Sequence, residues 1–95
     1  MEFKVIDVTP ELATAWLTQN KSNRTLSPNR VAQYARDMAL GEWQLNGECI
    51  SFDEDGKLKD GQHRLHGVVK ANTTVKMGVL TNIPRDTTLF DRGEK

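Results

Sequence analysis

Apolar and polar residues alternate in part over residues 2–8, where Val5, Ile6 and Val8 are β-branched, and this predicts a first strand. Thr9-Pro10-Glu11 then changes the period. Thr9 suits an N-cap and Pro10 the first helical position, after which Leu12, Ala13, Trp16 and Leu17 share one face of a helix over 10–18. Asn20, Lys21, Ser22 and Asn23 are turn formers, and Ser27-Pro28 repeats the helix start signal. Val31, Tyr34, Ala35 and Met38 follow i, i+3, i+4, i+7 spacing, with Gly41 where a helix end favours a left-handed residue.

The second half is more broken. Asn46-Gly47 favours a tight turn, and Asp53-Glu54-Asp55-Gly56 is a second turn signal, so 50–52 and 57–59 are expected as short strands of a hairpin. After Asp60-Gly61, Leu65, Val68, Val69, Gly67 and Ala71 fit a helix over 62–70. Val75, Met77 and Val79 alternate with Thr74, Lys76 and Gly78 as a last strand, closed by Ile83-Pro84. Residues 85–90 suggest a short helical piece, and 91–95 read as an interrupted continuation, so a missing C-terminal segment is an expectation here. The pattern predicts the order strand, helix, helix, hairpin, helix, strand in one domain over 1–95, with about three helices.

Leu, Ile, Val and Phe supply 22 of 95 residues, just above the roughly 20% below which chains tend to stay disordered. No apolar run approaches the ~18 residues of a membrane span, and no basic stretch leads into an apolar signal core, so a cytoplasmic protein is expected. Thirteen Lys+Arg balance thirteen Asp+Glu. This argues against non-specific coating of duplex DNA, which uses excess cations to release counterions. A lone Cys49 forms no intrachain disulfide and no thiolate metal cluster.

One segment concentrates chemistry. Leu58-Lys59-Asp60-Gly61-Gln62-His63-Arg64-Leu65 sets a short strand, a glycine turn and polar side chains at the mouth of a helix. The first helical N–H groups have no internal partners, the helix dipole leaves positive charge there, and a glycine allows close approach of an anion. Arg64 would add a bidentate contact and His63 a donor or proton relay. The plain alternative makes Asp60 an N-cap, Arg64 a surface ion pair and His63 a satisfied polar residue.

The motif Asp60-Gly61-Gln62-His63-Arg64-Leu65, with Gly41-Glu42-Trp43, Asn46-Gly47-Glu48 and the 52–56 turn, resembles the ParB N-terminal/sulfiredoxin superfamily. More narrowly, it is similar to short ParB-like phage and prophage proteins carrying a DGQHR motif. The resemblance implies a compact α/β (α+β) fold with a mixed sheet that holds nucleotide phosphates at a helix start. Gly61, Gln62, His63 and Arg64 would bind the nucleotide, ATP or CTP with magnesium. Asp60 would orient a metal or cap the helix, and Asp60 and His63 become the candidate catalytic pair of an NTP hydrolase or phosphotransferase. Gln62 stands where sulfiredoxin carries its catalytic cysteine, so sulfinic-acid reduction is not expected. The helix-turn-helix and dimerisation regions of ParB have no counterpart in these residues.

Other signals are weaker. Asp53, Glu54 and Asp55 lack the twelve-residue calcium-loop pattern, and His63 and His66 have no marked third ligand, so no metal site is assigned. Trp16, Tyr34 and Trp43 suit core packing better than base stacking. Asn20, Asn23 and Arg24 would form a polar rim, with Arg24 a candidate phosphate contact. The competing readings are a DNA-associated or nuclease-type regulatory module using Lys57, Lys59, Arg64 and Lys70, and an inhibitor domain that binds a host protein without nucleotide.

Overall fold

The computed structural model describes residues 1–18, 25–43 and 49–84. Along the chain it runs β1 (Glu2–Val8), α1 (Pro10–Leu17), α2 (Pro28–Ala39), β2 (Cys49–Asp53), β3 (Leu58–Asp60), α3 (Gln62–Ala71) and β4 (Val75–Ile83). The strands and helices expected within these residues are all present, and the fold is α+β with a four-stranded mixed sheet of order β1-β4-β2-β3. The expected Asn46-Gly47 turn, the 85–90 helical piece and the tail 91–95 lie outside the described residues.

Local chemistry sets the helix starts. Thr9 Oγ1 accepts the Leu12 N–H at 3.0 Å and Ser27 Oγ accepts the Arg30 N–H at 3.3 Å, each before a proline at the first helical position. Such caps are worth about 1 kcal/mol each. Between β2 and β3, Asp53 Oδ1 accepts the N–H groups of both Asp55 and Lys57 at 2.9 Å, which folds the acidic run into a turn. Burial alone would raise the Asp53 carboxyl. The two backbone bonds, joined by the nearby Lys57 and Lys59 charges, together outweigh it and hold the group below its ordinary value.

Pairing is long-range. β1 lies antiparallel to β4, from Glu2 opposite Thr81 to Val8 opposite Val75. β2 runs parallel to β4, with Cys49 beside Gly78 and Ile50 beside Val79, and its register shifts after Ser51. The alternation then sorts the two faces. Ile6, Val8, Ile50, Phe52, Val75, Met77 and Val79 meet Ala13, Met38, Leu65 and Val68 of the three helices in one core. Val8, Ile50, Leu65, Val68 and Val79 are the largest fully buried side chains, each contributing about 1.5–3 kcal/mol by removal from water. The other face carries Phe3, Val5, Gly78, Leu80, Cys49 and Ser51.

α3 packs against both α1 and α2, and its Leu65 and Val68 join the strand residues in the core. Gly67 permits its approach to α2, since a Cβ there would stand 3.1 Å from Tyr34 Cβ and 3.4 Å from Met38 Sδ. Trp16 packs edge-on to Phe52, and Tyr34 edge-on to Trp43, both with ring centroids 5.1 Å apart. Trp16, Tyr34 and Trp43 all pack against the core. No helix among the described residues is long and apolar enough to cross a membrane.

Candidate phosphate site at the start of α3

β3 ends at Asp60 and α3 begins at Gln62, so Gly61 alone turns the chain. It does so with φ 110°, ψ 9°, in the left-handed region that favours glycine. Its neighbourhood is equally demanding. A Cβ on Gly61 would fall 2.5 Å from Ile50 Cδ1 and 3.2 Å from Ile50 Cα, so β2 passes directly beneath the turn.

The N-cap of α3 is Gly61 and makes no side-chain capping hydrogen bond, which corrects the expectation that Asp60 caps the helix. Asp60 belongs instead to the β3 ladder, opposite Ser51, and is exposed. The physical reason is positional: an N-cap side chain must precede the first helical residue directly, and Gly61 occupies that place.

A polar hollow of about 220 Å³ opens at this helix start. The motif supplies Asp60, Gly61, Gln62, His63 and Arg64 to its wall, and α2 supplies Arg30 and Tyr34. The four motif positions singled out for phosphate contact, Gly61, Gln62, His63 and Arg64, thus lie together with the candidate catalytic Asp60. Arg24, Asn20 and Asn23 lie outside the described residues. Arg30 is the residue that sequence reading missed; it sits in the first turn of α2, well away from the motif in sequence, and no local pattern marks it. Among the lining residues there are two guanidinium groups and one carboxylate, so the hollow has a positive balance.

The motif side chains also serve the fold. Arg64 Nη1 donates to the Cys49 carbonyl oxygen at 3.0 Å, tying α3 to the start of β2. Gln62 is only 8% exposed although polar. His63 Nε2 accepts the backbone N–H of Ser27 at 2.9 Å. That bond joins the motif to the N-cap of α2 and requires Nε2 to be unprotonated, so an imidazolium cannot make it.

Among the described residues no group of three or more His, Cys, Asp or Glu side chains is placed to hold an ion. Lys70 stands in the last turn of α3, about 9 Å along the axis from Arg64 at 1.5 Å per residue, so these two cations do not share one spot. A larger hollow of about 610 Å³ lies elsewhere, between Trp16, Phe52, Ile6 and Val79, and shares no residue with the motif. No protein-family model, curated protein or solved structure matches the chain.

Proposed function

We propose that the chain is a nucleotide-binding domain of ParB/sulfiredoxin-like type, working in the cytoplasm, that grips the phosphate chain of ATP or CTP at the start of α3. The observation that carries this reading is the convergence of Arg30 and Arg64 on a helix start whose N-cap offers no side-chain bond. Backbone N–H groups at such a terminus favour an anion, and paired guanidinium groups add charge-assisted hydrogen bonds. The size of the hollow suits this role, being below the roughly 300–1,000 Å³ that encloses a whole drug-sized ligand. The phosphates would sit inside and the base outside.

Magnesium fits as a companion of the nucleotide. Sites of this kind often offer one or two carboxylates and leave the remaining ligands to phosphate and water. Asp60 is the carboxylate at hand. The ion would neutralise phosphate charge, and a water or hydroxyl proton released in phosphoryl transfer would pass to Asp60; His63 already accepts the Ser27 N–H through Nε2 and keeps its proton on Nδ1, which corrects its expected part as a proton acceptor.

Arg30→Ala is the informative variant. Arg30 is exposed, whereas Arg64 also holds the Cys49 carbonyl and its loss would mix stability with binding. Titration calorimetry with ATP and CTP, with and without magnesium, should show saturable binding that Arg30→Ala weakens by about 1–3 kcal/mol. No binding by the folded wild-type protein refutes the reading. Duplex DNA binding that falls steeply with salt would instead support the DNA-associated module, and a stoichiometric host protein retained by Arg30→Ala would support the inhibitor reading.

A further inference from the structure

β1 is the long edge of the sheet. Its other side has no neighbouring strand among the described residues, whereas the opposite edge, β3, has only three residues. It pairs with β4 over seven consecutive positions with no shift in register. Natural sheet edges are commonly blunted by bulges, prolines or inward charges. β1 has neither bulge nor proline; its Glu2 and Lys4 lie on the core-bearing face beside Ile6 and Val8 but are exposed, and Met1, Phe3 and Val5 are 55%, 57% and 45% exposed.

Its charges are unevenly satisfied. Asp7 is bonded to Lys76 across β4 at 2.9 Å. Glu2 and Lys4 stand opposite Thr81 and Val79, which offer no counter-charge. In an antiparallel pair of two β1 strands, residues directly opposite share a face, so only a few registers are open. Centring on Lys4 sets Lys4 against Lys4. Centring on Val5 sets Phe3 against Asp7 and leaves Glu2 against Val8. Centring on Phe3 puts Glu2 of each copy opposite Lys4 of the other, Met1 opposite Val5, and Phe3 opposite Phe3.

We propose that β1 is a self-association edge, through which a second copy of this chain pairs antiparallel in the register centred on Phe3. The two sheets join into one of eight strands around a two-fold axis, closed by two Glu2–Lys4 pairs on one face and the Met1, Phe3 and Val5 side chains on the other. The partner is a second copy because the strand is complementary to itself in charge and in apolar contact. Gly78 prepares the apolar side: a Cβ there would stand 2.8 Å from the Phe3 ring, so the missing side chain seats that ring against β4. The joint is short and belongs with weak, concentration-dependent interfaces.

Sedimentation velocity over roughly 5–500 µM, a range suited to a weak interface, provides the test. The wild-type chain should move from monomer to dimer. Glu2→Lys, which turns two opposite-charge pairs into two like-charge pairs, should raise the dissociation constant roughly tenfold. Glu2→Lys combined with Lys4→Glu restores both pairs and should return it to within about twofold of wild type. Far-UV circular dichroism checks that each variant is folded, which both exposed positions favour. A monomer throughout the range overturns the proposal, and so does a dimer indifferent to Glu2→Lys.

Discussion

An alanine at position 61 meets two separate penalties. The backbone there has φ 110°, well past the left-handed basin that L residues visit near +57°, and holding a side chain at such a value costs about 1–3 kcal/mol. The new Cβ would also press on Ile50 Cδ1 at 2.5 Å. That methyl is the end of a side chain, but Ile50 is completely buried, so it moves only by displacing packed neighbours, at about 1–3 kcal/mol. Gly61→Ala should therefore cost about 2–6 kcal/mol, a large part of the roughly 5–15 kcal/mol typical of a whole domain. Gly56→Ala provides the comparison. Gly56 has φ 82°, and a Cβ there would meet no atom within 4 Å, so only the backbone penalty applies, about 1–2 kcal/mol. Urea titrations followed by far-UV circular dichroism read both losses, provided the slopes stay equal. A Gly61→Ala loss no larger than that of Gly56→Ala would refute the close passage of β2 beneath the motif.

Two further outcomes follow from named bonds. His63→Ala removes the acceptor of the Ser27 N–H and should cost about 1–2 kcal/mol in urea unfolding, with α2 amides near Ser27 and Arg30 losing hydrogen-exchange protection; unchanged protection there would contradict the bond. The depressed Asp53 carboxyl favours the folded state above its unfolded value, and this contribution is lost as pH falls through the lower folded value. Wild-type protein should thus lose urea resistance more steeply than Asp53→Asn on acidification below the ordinary 3.8; parallel acid limbs would count against the turn geometry.

Much of the local architecture was legible in the chain. The Thr9 and Ser27 caps, the α2 stripe of Val31, Ala35 and Met38, and the Asp53 turn rest on short sequence separations, which spacing encodes directly. Pairing was not legible. Alternation in β1 says which side chains share a face, but not that its neighbour is β4, nor that β2 and β4 run parallel. The site divides along the same line. The motif at 60–64 stands out as a strand, glycine and helix in sequence order, whereas Arg30 reaches it only through the packing of α2 on α3, which no local pattern shows. The structural duties of Arg64 and His63 were equally hidden, since Cys49 and Ser27 lie far from the motif in sequence and offer main-chain atoms, which carry no residue signature.

The union of β1 with β4 also orders events in time. β1 is made before every other described element, yet its neighbour is the last strand of the described fold. Until Val75–Ile83 has been made, the apolar residues of β1 have no ladder to join, and closing so long a loop precedes any reward from pairing. α2, β2, β3 and α3, close together in sequence, can gather first and form the surface on which β4 settles. β1 then locks on as a late step, so of the four described strands it waits longest for its partner.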